Sequence, residues 1–279
     1  VQEKAEDMKW IIALNEPSEE FLEHGKKYEH FAKIAVYSAL LNAPKLEPIL
    51  IYNGSDNEFT REMKALGVEV IFHRLSFEGA VNITPGRDGL WRQTAKGAML
   101  RLDIPELINT NEVILYTDTD VFFLKDPSNY QFDCDLIAVA PEFEINNYSK
   151  INTGAMLINL GAAREQFKSL IEWTVKNLEV IPDYDQGAVQ IYFNGKWNHL
   201  HQFMNWKPYW GIHNDAIILH FHGPKPDNFD SLTLTPKSIG GIYETLYSAN
   251  PLAYMHYLSA WISICHQYQA NKFERSRIQ

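Results

Sequence analysis

Two short stretches of this chain carry groups whose chemistry calls for a partner. The first is Val113-Ile114-Leu115-Tyr116-Thr117-Asp118-Thr119-Asp120-Val121-Phe122-Phe123. Its apolar residues read as a short buried strand, which the triplet Asp118-Thr119-Asp120 interrupts where the chain would leave a core. Side chains two apart on extended backbone point the same way, so both carboxylates can face one object. Two negative charges aimed at one point repel unless a cation lies between them. A hard divalent ion such as Mn2+ or Mg2+, held by oxygens and bridged to a phosphate, satisfies that arrangement. The same triplet also occurs in turns and caps, so alone it does not specify a metal site. The second stretch is Ile217-Ile218-Leu219-His220-Phe221-His222-Gly223-Pro224-Lys225-Pro226, again an apolar strand that ends in coordinating groups. Alternation sets His220 and His222 on one side and Phe221 on the other. A histidine so placed is either a hydrogen-bonded core residue or part of a metal-diphosphate site.

Other residues offer weaker signals. Asn15 follows the apolar run Trp10 to Leu14 and is a turn residue or a ligand contact at a strand end. Asn152-Thr153-Gly154 leads into the strand Ala155 to Leu160; it makes a turn or presents an amide and a hydroxyl to a polyhydroxylated ligand. Asp183-Tyr184-Asp185-Gln186-Gly187 fits a helix cap or a close approach to a ligand. Lys96 and Arg101 lie five apart on a helix read over Trp91 to Leu102, as surface charge or as a reach toward phosphate.

The elements that must position these groups alternate between strand and helix. Trp10 to Leu14, a long helix and Pro48 to Tyr52 form a βαβ unit, closed by the Asn53-Gly54 turn. Ser18 is the expected N-cap of the helix, with Glu19 and Glu20 in its first turn; Tyr28, Phe31, Ala32, Ala35, Val36, Ala39 and Leu40 mark its buried face. A second helix, Glu58 to Leu66, stops at Gly67, and Val68 to Phe72 is the next strand. Short connections imply a mostly parallel sheet, whose ligands lie beyond the carboxyl ends of its strands. Phe77 to Leu90 reads as an irregular loop, either a lid or a plain connector. Asp135 to Ala140 is a strand ending at Pro141-Glu142-Phe143, and Ala163 to Leu178 is a packing helix. Ile239 to Tyr268 is helical and aromatic, followed by a frayed basic end with Lys272, Arg275 and Arg277.

With 279 residues and no linker-like composition, the chain is expected to form one α/β domain over 1–279, with a core of about 10–230 and a helical C-terminal extension of about 235–270. A formal charge of −10 argues against general nucleic-acid binding. Cys134 and Cys265 are too few for a disulfide framework. No run of residues spans a bilayer, so the expected location is cytoplasmic, or the Golgi or secretory lumen if an anchor was trimmed from a longer protein.

In this order the pieces resemble the family 8 glycosyltransferases of the GT-A fold, the group that includes glycogenin and the bacterial lipopolysaccharide galactosyltransferases. The resemblance runs from about Trp10 to Pro226. Leu100-Arg101-Leu102, Pro105-Glu106-Leu107 and Ile114 to Phe123 look like the family's helix and D-x-D strand; Asn152-Thr153-Gly154 with Leu157-Ile158-Asn159-Leu160, Asp185-Gln186-Gly187 and His220-Phe221-x-Gly223 look like its later motifs. The last motif departs from the family: it is one residue short between Gly223 and Lys225, and Asp227 stands where the family has Trp.

The resemblance implies a Rossmann-like GT-A domain with helices on both sheet faces, and a metal-dependent, retaining transfer of a hexosyl or pentosyl group. The donor would be a nucleotide diphosphate sugar, typically a UDP-sugar, and the acceptor a glycan, glycolipid or protein. Mn2+ (or Mg2+) would be held by Asp118, Asp120 and His220, with His222 as a substitute ligand or phosphate contact. Asn15 would lie near the base, and Lys96, Arg101, Thr119, Gly223 and Lys225 near phosphate or ribose. Glu142, Asn152, Asp185 and Gln186 would surround the transferred sugar and acceptor, with Gln186, Asp185 and Glu142 as the catalytic candidates. A non-catalytic nucleotide-sugar-binding relative is the alternative. Asp118-Thr119-Asp120-Val121 also resembles the nucleophile motif of haloacid-dehalogenase-like phosphatases, although there the motif opens the domain and here a βαβ unit precedes it.

Overall fold

The structure, a computed structural model, describes residues 7–228 and 241–278. Strands and helices alternate from the start: β1 (Met8–Asn15), α1 (Leu22–Asn42), β2 (Leu46–Asn53), α2 (Glu58–Ala65) and β3 (Glu69–Phe72). There follow α3 (Glu78–Ile83), α4 (Gly89–Ala98), a 3-10 turn over Met99–Asp103, α5 (Ile104–Leu107), β4 (Val113–Thr117), β5 (Val121–Phe123), β6 (Ile137–Pro141) and β7 (Ile151–Asn159). The chain continues through α6 (Leu160–Asn177), α7 (Tyr184–Phe193), β8 (Asn198–His199), β9 (Ile218–His220), α8 (Gly241–Ala249) and α9 (Pro251–Ile278).

The central sheet has the order β3-β2-β1-β4-β7-β6-β8. It is mostly parallel; β7 alone runs against its neighbours β4 and β6. Strand alternation divides the core between the two faces. Ile11, Ile49, Ile51, Tyr116 and Met156 pack toward α4, α6 and α7, while Trp10, Ile12, Leu50, Tyr52 and Leu115 pack toward α1 and α2. A separate antiparallel pair, β5 with β9, sets Val121 opposite His220.

Helix α1 is covered on both sides. One face meets the sheet, and the other, with Ile34 and Tyr37, meets an aromatic cluster from α8, α9 and the turn Pro208–Trp210. The buried face is therefore wider than the one expected from the sequence: Ile34 and Ser38 are buried too, whereas Leu40, expected inside, is 41% exposed. Ser18 stands at the expected N-cap position, but of a 3-10 turn (Glu19–Phe21), and its hydroxyl caps nothing.

Phe77 to Leu90 is not an irregular loop throughout. It contains α3, and Asp88 caps α4 by accepting from the Trp91 amide at 2.7 Å. Ile151 to Gly154 is not a turn; these residues open β7, where Asn152 pairs with Ala140 across a register shift in β6. Helix α6 begins at Leu160, not Ala163, because the Asn159 side chain accepts from the Ala162 amide. The aromatic C-terminal helices occur as expected, although the expected start near residue 235 and at Ile239 falls outside the described residues, as do the side chains of Arg275 and Arg277. Lys272 pairs with Glu62. No helix among the described residues is long and apolar enough to cross a membrane.

Candidate active site

Strand β4 runs out at Thr117, and the chain bends through Asp118-Thr119-Asp120 before β5. Two backbone hydrogen bonds fix that bend: the Asp118 amide donates to the Gly154 carbonyl at 2.9 Å, and the Asp120 carbonyl accepts from the Phe221 amide at 3.0 Å. The β5–β9 pairing thus brings the two chemically marked stretches of sequence together. His220 Nε2 lies 3.4 Å from Asp120 Oδ1 and 4.0 Å from Asp118 Oδ2. One ligand atom from each of the three residues falls within 4.8 Å of the others.

The tautomer of His220 follows from its other nitrogen. Nδ1 lies 2.9 Å from the Asn205 side-chain oxygen, an acceptor, so Nδ1 carries a proton and Nε2 is the nitrogen turned to the carboxylates, the one a metal would take. Asn205 is oriented in turn by donating to Asn152 Oδ1 at 2.8 Å. Gly154 makes room for the imidazole, since a Cβ there would stand 2.2 Å from His220 Cε1. Two carboxylates and an imidazole with a fixed outer hydrogen bond are a donor set that fits Mn2+ or Mg2+.

Two cations border the aspartates. The Arg101 guanidinium is buried against the Tyr116 ring, donates to Asp118 Oδ1 at 2.6 Å and to the Thr153 carbonyl at 2.7 Å, and lies 2.9 Å from Asp185 Oδ2. Burial opposes its charge, yet Asp118 and Asp185 hold it above the ordinary value. Burial pushes the Asp185 carboxyl up to about 6 against the pull of Arg101. Lys225 pairs with Asp120 and donates to the Phe221 carbonyl at 2.9 Å. Burial works against the Asp120 carboxylate, but Lys225 and His220 hold it well below the usual range.

A cavity of about 410 Å³ opens beside these groups at the carboxyl ends of β1 and β4. Asn15, Arg101, Asp118, Thr119, Asp120, Glu142, Asn152, Asp185, Gln186, His220, His222 and Lys225 all line it. The Gln186 amide is fixed at both ends. Its nitrogen donates to Glu142 Oε1 at 2.8 Å, and its oxygen accepts from Asn152 Nδ2 at 3.0 Å and the Thr153 amide at 3.3 Å. Asn15 accepts from Asn53 through its side-chain oxygen at 2.7 Å and donates to the Glu16 carbonyl.

Some expected site residues stand elsewhere. Lys96 does not line the cavity; its ammonium is 3.1 Å from Glu78 on α3, a helix not expected from the sequence. Gly223 does not line it either. It has a left-handed φ of 88° and sits so close to Leu246 that a Cβ would meet its Cδ1 at 2.6 Å, so it serves the turn. Arg101 reaches the cavity, but its contacts go to the protein's own acids and carbonyls. His222 is turned away from the aspartates: Nδ1 meets the Tyr209 hydroxyl at 3.0 Å, and Nε2 lies 3.5 Å from Glu142 Oε1.

Sequence reasoning did not mark Asn205, Tyr116 or Tyr209 as parts of the site. The one signal for Asn205 is an amide inside the apolar run Phe203-Met204-Asn205-Trp206, where a buried polar group needs a partner.

No curated protein sequence matches the chain. The galactosyltransferase LgtC, solved with donor and acceptor sugar analogues, superimposes with a TM-score of 0.62 at 17% identity, over 87% of this chain and 95% of that one. The glycosyltransferase GlyE of Streptococcus pneumoniae TIGR4 gives 0.58 at 16% identity, and this chain, matched over 92% of its length, spans 63% of the GlyE chain. Mouse xyloside xylosyltransferase 1 gives 0.50 at 16% identity, over 77% of this chain and 97% of that one. These likenesses establish the expected GT-A fold. The model of glycosyl transferase family 8 matches residues 21–226, well over half of the chain, and on that match the protein belongs to family 8 of the glycosyltransferases.

Proposed function

We propose that this chain is a metal-dependent, retaining glycosyltransferase that moves a sugar from a nucleotide diphosphate sugar, specifically a UDP-sugar, to a hydroxyl of a glycan, glycolipid or protein acceptor. The observation that carries the reading is the meeting of Asp118, Asp120 and His220 in one cavity with Lys225. A divalent ion bound by those three residues would supply charge to the diphosphate as the sugar departs. Lys225 adds a cation on the same side and needs only to leave Asp120 to reach a phosphate oxygen. Asn15, at the end of β1, suits the base. LgtC, solved with donor and acceptor sugar analogues bound, favours the same class of ligands.

Retention rests on the groups near the reacting carbon. Gln186, a poor base and a poor nucleophile, is held at both ends where it lines the cavity. Asp185 is engaged by Arg101 and by the Thr153 hydroxyl at 2.9 Å, which leaves it less free to attack. Glu142, its side chain 12% exposed against 4% for Asp185, is the more open of these two carboxylates; in a retaining transfer it would orient the acceptor hydroxyl, and as a base it would serve inversion. Proton NMR of the new linkage, read against the donor's known anomer, tests the reading: the configuration is expected to be kept. An α-linked donor yielding a β-linked product overturns retention, and binding of UDP-sugars with no turnover supports the non-catalytic alternative.

A further inference from the structure

Pro141, Glu142 and Phe143 follow one another at the end of β6, and each of their carbonyls receives a side-chain donor from one short segment, Lys207-Pro208-Tyr209-Trp210. Lys207 Nζ donates to the Pro141 carbonyl at 2.6 Å, Tyr209 Oη to that of Glu142 at 2.6 Å, and Trp210 Nε1 to that of Phe143 at 2.7 Å. The Glu142 amide is also held, donating to the Lys150 carbonyl at 2.9 Å. A backbone secured at consecutive carbonyls has little freedom to turn. Its one side chain that faces the cavity between these contacts is the Glu142 carboxylate.

Lys207 is an expensive way to bind a carbonyl. Its side chain is fully buried, its ammonium sits over the Trp210 ring at 4.3 Å, and burial holds it well below its ordinary pKa. An apolar residue would suit the surroundings, so the cost calls for a function that packing does not supply. The Tyr209 hydroxyl has a single proton, which goes to the Glu142 carbonyl. His222 Nδ1 therefore donates to that oxygen, and this contact sets the ring with Nε2 3.5 Å from Glu142 Oε1.

We propose that Lys207, Tyr209 and Trp210 are positioning residues that aim the Glu142 carboxylate, with His222 Nε2 beside it, at the place where the attacking hydroxyl sits. The proposal rests on the glycosyltransferase reading of the cavity. None of the three touches substrate; they act through Glu142.

The test is a double-mutant cycle on release of UDP from UDP-glucose, UDP-galactose, UDP-xylose and UDP-N-acetylglucosamine with Mn2+, water serving as the attacking hydroxyl. Glu142→Gln is expected to be slow in kcat. Tyr209→Phe, which removes one oxygen, and Lys207→Met are expected to lose about tenfold in kcat with donor KM and calorimetric UDP affinity unchanged. The loss should vanish in the Glu142→Gln background, because a residue acting through Glu142 has nothing left to position. Tyr209→Phe and Lys207→Met at wild-type rates, or losses that add in full to that of Glu142→Gln, overturn the positioning role while leaving the reading of the cavity intact. A Glu142→Gln variant at the wild-type rate overturns the proposal and leaves the cavity reading intact, whereas a wild-type protein that releases UDP from none of the donors removes the cavity reading and the proposal with it. Circular dichroism and thermal midpoints of each variant separate these results from misfolding.

Discussion

At the scale of single residues, His220 depends on a group that never faces the cavity. Asn205 holds its Nδ1 proton and so turns Nε2 toward Asp118 and Asp120. Outer hydrogen bonds of this kind are worth about 10–100-fold in metal affinity. Asn205→Ala is expected to weaken Mn2+ binding by about that factor, and Asn205→Asp, which still accepts from Nδ1, to weaken it less. Calorimetric titration of Mn2+ in the presence of UDP checks this, and unchanged affinity in Asn205→Ala removes the role. His220→Ala is expected to cost more activity than His222→Ala under saturating Mn2+, since the geometry brings only His220 to the aspartates. The reverse ranking would move the ligand to His222. EDTA is expected to abolish turnover and Mn2+ to restore it; full activity in EDTA, or in Asp120→Asn, sinks the metal site.

At the scale of elements, the site is a product of pairing. The short strands β5 and β9 carry the two chemical stretches, and β7 passes close beneath them, with Gly154 against the His220 ring. Gly154→Ala would force the imidazole aside, so Mn2+ affinity is expected to fall by more than about tenfold while far-UV circular dichroism stays as in the wild type. An alanine variant with normal Mn2+ affinity shows that the ring can shift without loss. Most of this was open to reading from the residues. Buried runs such as Ile114 to Tyr116 and Ile217 to Leu219 are strongly apolar, and the polar residues that end them mark a site at strand ends. What stayed hidden depends on distant partners. Lys96 has a solvent-facing position until α3 supplies Glu78. The segment from Leu200 to Gly211 has neither a strand nor a helical period, so nothing local connects its amide, lysine and tyrosine with Asn152, Pro141 and Glu142. The start of α7 is similar: Asp183 and Tyr184 both take left-handed backbone, at φ 51° and 55°, which costs about 1–2 kcal/mol per residue and is not visible in their types. Stacking of Tyr184 on Trp91, itself under Arg87, helps hold that turn and so directs Asp185 and Gln186 into the cavity.

At the scale of the whole molecule, the cavity draws on β1, β4, β7 and β9 and on helices from both halves of the sequence, so a ligand that fills it ties these pieces together. Ligand at about 100 times its dissociation constant adds about 2.7 kcal/mol to stability. For a chain of this size that corresponds to a rise of about 5 °C or more in the thermal midpoint. UDP with Mn2+ is expected to give such a shift and UDP alone a smaller one; no shift from UDP and Mn2+ together would remove the nucleotide site. The double covering of α1 bears on the protein's synthesis as well. Cys265 and Tyr268 on α9 reach back to His30 and Tyr37, a separation of 235 residues for the Cys265–His30 contact. At about 5–20 residues per second, a ribosome needs roughly 10–50 s to make the intervening chain. For that time the outer side of α1, with Phe31, Ile34 and Tyr37, lacks the cover that α9 gives it, and the nascent protein presents part of an apolar helix face to whatever chaperone attends it.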